Sequence, residues 1–268
     1  MTLFTCNGSQ NGLIKNLIMT DKILLIAGCS HTGGSEIDGS QDSAYNRENS
    51  YGGVLARKLN RKPVNIAMVA MSNRAIARSV LNWFSKEYDA DTMDVIVLIG
   101  WTENIRIDFP NPHAIGYGPA NTDTDYYTKI NEHFLQINAG WAGGNDYERK
   151  VIPYWHEYQA THEYMCELEC INTVLQMQYF CKSKNVDYVM TNTMKMFSED
   201  NSHLDFYIEQ VDQSKYMDML DNDAAFFWHY RNAGYENPKA KYWHHNEEPH
   251  RLHAEKLFKF SHLDGNQS

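Results

Sequence analysis

Three short apolar runs, rich in β-branched residues, constrain the fold of this chain more than any other feature. They occupy residues 22–28, 63–68 and 94–100, and none of them alternates between apolar and polar positions. Such runs are typical of strands in a parallel sheet that is covered on both faces. Residues 186–192 have the same character and end in polar side chains, so they predict a fourth strand.

Helical patterns lie between and after the predicted strands. Residues 51–59 follow Ser50, a suitable N-cap, and apolar positions at helical spacing extend over 73–88 and 158–184. Asn246 precedes a last helix that begins with two glutamates, which the helix dipole stabilises there. This alternation predicts βαβ units, and therefore an α/β fold of three layers with helices on both faces of a mostly parallel sheet.

Two long segments do not fit the alternation. Residues 108–153 are rich in Gly, Pro, Asn and Tyr, and residues 194–242 are aromatic and acidic. Connections of that length are usually functional loops. We therefore expect one domain over residues 22–262 with insertions at 108–153 and 194–242, a leader over 1–21 and a tail over 263–268.

The charge balance and the cysteines exclude some partners and compartments. The chain has 24 Lys and Arg against 34 Asp and Glu, a formal net charge of −10. Nonspecific nucleic-acid binding and anionic membrane surfaces need the opposite sign, so we expect neither partner. The five cysteines show no metal or disulfide-framework spacing, which favours reduced, buried thiols and a cytoplasmic protein. The first apolar run is also too short for a membrane span or a secretory segment.

Functional residues are expected where the strands end, because ligands of open parallel sheets bind at the carboxyl ends of the strands. The first strand leads into a glycine-rich turn that contains Ser30, a residue suited to a nucleophile, a phosphate cradle or a simple turn. The turn resembles the phosphate loop of flavodoxins, but that loop needs a helix to begin at once, and residues 35–49 lack an apolar stripe. The G-x-S-x-G elbow of α/β-hydrolases is absent from the sequence.

Four histidines, His244, His245, His250 and His253, lie close together near the end of the chain. They suggest a metal site, but no acidic or cysteine ligand stands beside them at a recognisable spacing. We therefore expect neither a metal nor a cofactor.

Taken in order, the residues at the strand ends resemble the SGNH (GDSL-type) hydrolase family over about residues 22–260. The first block of that family reads G-D-S-x-x-x-G and follows the first strand. Here the matching residues are Gly28, Cys29 and Ser30, with Cys29 in place of the usual Asp. The chain also resembles phage and bacterial proteins that carry a Gly-Cys-Ser-His-Thr block.

The closing block of the family, D-x-x-H-P-N-x-x-G-H-x-x-x-A, gives the most specific part of the resemblance. Asn246, His250 and Ala254 match its Asn, its second His and its Ala, so His244 falls on the catalytic His. The resemblance implies a flavodoxin-like sheet, a Ser30 nucleophile and a His244 general base. Lys241 stands at the position of the family's catalytic Asp.

The other implied roles follow from the family blocks. The oxyanion hole would consist of the Ser30 and Ala70 amides together with Thr102 or Asn104, because Thr102 replaces the family's Asn. The acid that orients His244 has to come from elsewhere. Candidates are a backbone carbonyl or one of three acidic residues of the second insertion: Asp221, Asp223 and Glu236.

SGNH relatives act on acyl esters, including O-acetyl groups of polysaccharides, so the resemblance implies a small-molecule or carbohydrate ester as substrate. Candidate substrate-binding residues are polar or aromatic and lie at the strand ends and the closing block: His31, Asn73, Trp101, Arg106, Trp243 and His245. The alternative function, favoured by the missing Asp and Asn, is a catalytically impaired module that binds a sugar or a protein, such as a virion or assembly component.

Overall fold

The computed structural model describes residues 20–110, 134–137, 153–154, 157 and 162–261. Most of the predicted leader, the whole predicted tail and most of the first predicted insertion lie outside these residues. The described part of the chain begins its first strand at Asp21, one residue before the predicted start.

The described strands form one five-stranded sheet and one separate two-stranded pair. All neighbours in the larger sheet run parallel, in the order β2-β1-β3-β6-β7, whereas β4 and β5 pair antiparallel. Numbered within the larger sheet alone, this order is 2-1-3-4-5, the order of flavodoxin-like sheets. The strands are β1 (Asp21–Gly28), β2 (Lys62–Asn65), β3 (Met93–Trp101), β4 (Ile107–Pro110), β5 (Phe134–Ile137), β6 (Asp187–Asn192) and β7 (Tyr216–Met217).

Helices cover the sheet on both faces, which confirms the predicted three-layer α/β arrangement. They are α1 (Ser30–Gly33), α2 (Ala44–Asn49), α3 (Tyr51–Lys58), α4 (Asn73–Lys86), α5 (Glu163–Ser183), α6 (Asp205–Ile208), α7 (Phe226–Asn232) and α8 (Glu247–Ser261). Short 3₁₀ turns lie at Ser202–Leu204, Gln213–Lys215 and Asn222–Ala224.

The two faces of the sheet bury two separate hydrophobic cores. Successive residues of β1 alternate between them, so that Leu25 packs with α4 and α5 while Leu24 packs with α3, α7 and α8. Both side chains are fully enclosed. Burial on both faces is why the strands read as continuous apolar runs, since neither alternating position faces water.

The structure differs from the predicted secondary structure at three places. Residues 35–49 are not wholly loop, because Ser43 accepts a hydrogen bond from the Asn46 N–H and caps α2. A one-turn helix, α1, does begin directly after β1, contrary to the expectation used against a phosphate loop. Strand β7 was not predicted; its two residues lie inside the segment expected to be an insertion.

The described cysteines behave as small buried side chains. Cys29, Cys166, Cys170 and Cys181 are buried and form no disulfide. Within the described ranges, no helix has the length and apolar character needed to cross a membrane.

Candidate active site

Ser30 is the first residue of α1, at the carboxyl end of β1. Cys29 precedes it in an extended conformation and Gly34 ends the turn in the left-handed region, with φ of 80°. Ser30 is buried yet lines a groove of about 580 Å³. Its hydroxyl makes no hydrogen bond with any residue that the structure describes.

A pair of glycines beneath the turn makes room for a buried network of hydroxyl groups. Gly28 and Gly100 are register partners in β1 and β3, and a Cβ on either would overlap the side chain of Thr32. Tyr51 Oη donates to Thr32 Oγ1 at 2.8 Å, and Thr32 Oγ1 lies 3.1 Å from Thr193 Oγ1. The network ties α1 to α3 and to the end of β6.

His244 lies in the segment before α8 and pairs with a buried carboxylate. Its Nδ1–H donates to Glu36 Oε2 at 2.6 Å, and both side chains are almost fully enclosed. The bond fixes the tautomer, because a proton on Nδ1 leaves Nε2 as an acceptor. His244 Nε2 is buried and has no hydrogen-bond partner among the described residues.

The acidic residue that pairs with His244 is Glu36, and not one of the three acids expected from the sequence. Besides His244, its carboxylate accepts the backbone N–H groups of Lys241 and Tyr242, each at 2.9 Å. Lys241 therefore contributes its backbone N–H, and not its side chain, to the hydrogen bonds of Glu36. A carboxylate that accepts three hydrogen bonds is held in place and kept charged.

The three acids proposed from the sequence do not pair with His244. Asp221 caps a 3₁₀ turn by accepting the N–H groups of Asp223 and Ala224, and Glu236 is exposed. Glu36 follows Ser30 by six residues in the polar stretch 35–49, but no sequence pattern marks it as the partner of His244.

The pKa values of the pair suit a neutral base beside a charged acid. Burial lowers the pKa of His244, and the hydrogen bond and charge of Glu36 oppose that effect only in part. Burial acts to raise the pKa of Glu36, but hydrogen bonds from His244, Tyr242 and Lys241 outweigh it and hold that pKa below its usual range. Near neutral pH, His244 is therefore unprotonated at Nε2 and able to accept a proton.

Two backbone amides at the strand ends have the properties of oxyanion donors. The N–H groups of Ser30 and Ala70 make no hydrogen bond to any acceptor in the described part of the chain. The loop that carries Ala70 is held by Ser72, whose hydroxyl accepts the Ala75 N–H and donates to the buried Asp108 at 2.5 Å. Ala70 itself has a φ of 64°.

The side-chain donors expected after the third predicted strand, Thr102 and Asn104, are less well placed. Thr102 is fully buried and its Oγ1 has no partner among the described residues. Asn104 lies half-buried in the turn that follows β3. Neither contacts Ser30 or His244 through a hydrogen bond within the described residues.

Three of the candidate substrate-binding residues hold the framework instead. Asn73 bonds the main chain of Thr102 twice, accepting its N–H at 2.8 Å and donating to its carbonyl at 3.0 Å. Trp101 is fully enclosed in the core and offers no ring face to a ligand. His245 is buried with its two ring nitrogens 3.0 Å from the carbonyl oxygens of Tyr235 and Phe227.

The other three candidate substrate-binding residues, His31, Arg106 and Trp243, lie around the Glu36–His244 pair. The rings of His31 and His244 have centroids 4.4 Å apart, and His31 Nδ1 is buried without a partner among the described residues. Burial, followed by the charges of His244 and Arg106, lowers the pKa of His31. Arg106 donates to Glu103 at 3.2 Å, and Trp243 is largely exposed.

Strained backbone coincides with this site. Of the non-glycine residues described at positive φ, three are Glu36, Ala70 and Trp243, the residue before His244. Such conformations cost about 1–3 kcal/mol each and persist where the surrounding structure enforces them. The site therefore has the local strain that is common at functional positions.

The clustered histidines do not form a metal site in the described part of the chain, where no group of three potential ligands is suitably arranged. His250 Nδ1 accepts the Tyr51 N–H at 3.1 Å, and His253 Nε2 lies 3.3 Å from Thr191 Oγ1. Both rings pack around Phe226, so they belong to the second core.

No protein-family model and no curated protein sequence matches this chain. Solved structures with a similar chain path include a member of the lipolytic G-D-S-L family from Veillonella parvula, at 13% identity over 90% of this chain and 97% of that one. An acetyl xylan esterase from Butyrivibrio proteoclasticus (13% identity, 91% and 64%) and a family two carbohydrate esterase from Cellvibrio japonicus (14%, 92% and 63%) are also similar. All three have a TM-score of 0.41. This chain spans less than two thirds of the length of either carbohydrate esterase.

Proposed function

We propose that the protein is a serine ester hydrolase in which Ser30 is the nucleophile, His244 the general base and Glu36 the residue that orients the base. The observation that supports this most strongly is the buried Glu36–His244 bond of 2.6 Å. It leaves His244 Nε2 without a hydrogen-bond partner among the described residues, and the His244 ring centroid lies 4.4 Å from that of His31, the residue after Ser30. A serine, a histidine and a carboxylate in this relation form the constellation used for acyl transfer.

The reaction follows from the roles of these atoms. Ser30 Oγ attacks the acyl carbonyl while His244 Nε2 takes the proton of the serine hydroxyl. The former carbonyl oxygen becomes negative and accepts hydrogen bonds from the N–H groups of Ser30 and Ala70. His244 then returns the proton to the departing alcohol oxygen. A water molecule, deprotonated by the same nitrogen, attacks the acyl-enzyme and releases the acid and free Ser30. Glu36 stabilises the imidazolium that forms in both halves.

The gap between Ser30 and His244 is compatible with this proposal. Their side chains share no hydrogen bond in the structure. Catalytic hydrogen bonds are often long in a free enzyme and tighten in the Michaelis complex. The proposal therefore requires that the hydrogen bond between Ser30 Oγ and His244 Nε2 forms when an ester binds.

The substrate we propose is an acyl ester of a small molecule or carbohydrate, with O-acetyl groups on a sugar as the narrower expectation. The groove at Ser30 supports an ester with an apolar acyl part, because Val64, Ile66 and Met68 line it beside the nucleophile. Its volume of about 580 Å³ also has room for acyl groups larger than acetyl.

A panel of p-nitrophenyl esters and acetylated sugars tests the proposal with purified protein. We expect hydrolysis by the natural chain, and a loss of kcat on the order of 10⁶-fold for Ser30→Ala, as in comparable triads. Lys239→Gln changes an exposed residue outside the site, so it controls for nonspecific effects of substitution and purification. Equal hydrolysis by Ser30→Ala and the natural protein contradicts the nucleophile. Hydrolysis by neither favours the alternative, a sugar- or protein-binding module.

A further inference from the structure

A second pocket adjoins the site on the side of His244. It has a volume of about 340 Å³ and is formed by α7, the loop after it and the segment that leads to His244. His244 belongs to its wall, whereas Ser30 lines the separate groove described above. In acyl transfer the serine keeps the acyl group and the histidine protonates the alcohol, so a pocket beside the histidine suits the alcohol part.

The lining of this pocket is cationic although the protein is acidic. Arg231 and Lys241 both contribute to it, and neither forms an ion pair or side-chain hydrogen bond with any described residue. Most other described arginines are paired with carboxylates, as Arg251 is with Glu248 and Glu255. Unpaired cations in a concave surface of a chain with net charge −10 indicate a site for an anion.

Aromatic stacking holds the guanidinium of Arg231 in position. Its carbon lies 4.2 Å from the centroid of Trp243 and 5.6 Å from that of Phe227. Stacking of this kind orients the guanidinium plane and leaves its edge free for a carboxylate. Trp243 directly precedes His244 and has two thirds of its surface exposed, so the rest of its ring can contact a ligand.

Glu236 is the acidic residue in the lining, and it weakens the field of the two cations without pairing with either. Histidines complete the wall, with His245 fixed between two carbonyl oxygens. The cationic donors that the pocket offers to a ligand are the side chains of Arg231 and Lys241.

We infer that the pocket of Arg231, Lys241 and Trp243 binds an anionic alcohol part, so that the preferred substrates are esters whose alcohol portion carries a carboxylate, as an acylated acidic sugar does. The inference rests on the proposed hydrolase function. In this arrangement the ester oxygen is directed towards the His244 wall of the pocket, and the carboxylate meets the guanidinium edge of Arg231. The acyl part remains in the groove at Ser30.

The test compares two matched esters, 4-acetoxybenzoate and its methyl ester, which differ in one negative charge. The quantity measured is the ratio of their kcat/KM values, because the difference in intrinsic reactivity cancels when variants are compared. We expect Arg231→Gln to lower the anionic-to-neutral ratio about tenfold and Lys241→Gln to lower it less. Lys239→Gln removes the same charge from the same loop outside this pocket, and we expect it to leave the ratio unchanged.

A binding measurement separates this inference from the proposed catalysis. Calorimetric titration of Ser30→Ala with 4-hydroxybenzoate requires no turnover, and we expect binding that weakens with added salt and is lost with Arg231→Gln added. Binding to Ser30→Ala alone supports the pocket even where no ester is hydrolysed. An unchanged ratio or unchanged binding in the Arg231→Gln proteins overturns the inference, as does an equal effect of Lys239→Gln.

Discussion

At the scale of single residues, the central feature is the buried pair formed by Glu36 and His244, which are 208 residues apart along the chain. The carboxylate that pairs with His244 comes from Glu36, which follows Ser30, the proposed nucleophile, by six residues, and Lys241 donates its backbone N–H to that same carboxylate. The geometry needed by the imidazole is one short hydrogen bond at Nδ1, and any element that brings a buried carboxylate there provides it.

Glu36→Gln tests this role through rate and pH together. Because the carboxylate stabilises the imidazolium and fixes the tautomer, we expect kcat to fall on the order of 10⁴-fold. In the natural protein kcat/KM rises with pH through the pKa of His244, which burial places below its ordinary value. Glu36 raises that pKa, so its neutralisation moves the acid limb to lower pH. An unchanged rate, or an acid limb displaced to higher pH, contradicts the assignment.

Ala70 offers a test of the strained loop. Ala70 adopts a φ of 64°, a conformation that costs a residue with a Cβ about 1–2 kcal/mol. Glycine removes this cost, but it also gives the unfolded chain more conformational freedom, which lowers the free energy of unfolding. We therefore expect Ala70→Gly to raise the free energy of unfolding by roughly 0.5 kcal/mol in urea titrations while ester hydrolysis persists, since the N–H is retained. A clear loss of stability indicates that the loop does not have this conformation.

At the scale of elements, the one-turn helix α1, which begins with Ser30, is positioned by contacts beneath it. Gly28 and Gly100 leave space above β1 and β3 for Thr32 and Tyr51, so α1 sits directly on the sheet. Tyr51 is the first residue of α3, and its backbone N–H donates to His250 Nδ1 in α8. The elements that carry Ser30 and follow His244 are therefore linked through one buried polar network.

Gly100→Ala tests that close packing. Its Cβ would overlap the hydroxyl groups of Tyr51 and Thr32, and overpacking of this kind costs about 1–3 kcal/mol. We expect a decrease of that size in the free energy of unfolding measured with urea. Gly33→Ala is the matched control, because its Cβ would meet Ala67 at an ordinary contact distance of 3.6 Å. Equal stability of the two variants contradicts the packing described here.

At the scale of the whole molecule, the sequence predicts the frame well because burial on both faces leaves a clear pattern. The strands at 22–28 and 94–100 and the cap at Ser50 are found nearly as predicted. Glu36 could not be found in that way, since its partner is 208 residues distant along the chain. Strand β7 has only two residues, too few to show a periodic pattern.

Side-chain roles were harder to predict than the frame for a related reason. A sequence shows which residue types stand near a strand end, but not which of them face the core. Trp101 is the last residue of β3 and Asn73 the first of α4, and both serve the framework. No sequence pattern marks Arg231, because its position opposite Trp243 depends on how α7 folds back towards the segment before α8.

Covalent labelling with a fluorophosphonate probe, read by intact mass and peptide mapping, tests the central claim most directly. We predict one adduct on Ser30 of the natural protein, no adduct on Ser30→Ala, and much slower labelling of His244→Ala and Glu36→Gln, in which the serine loses its base or the orientation of that base. Absence of labelling in the natural protein, or an adduct that persists in Ser30→Ala, would contradict the assignment of Ser30, His244 and Glu36 as a catalytic unit.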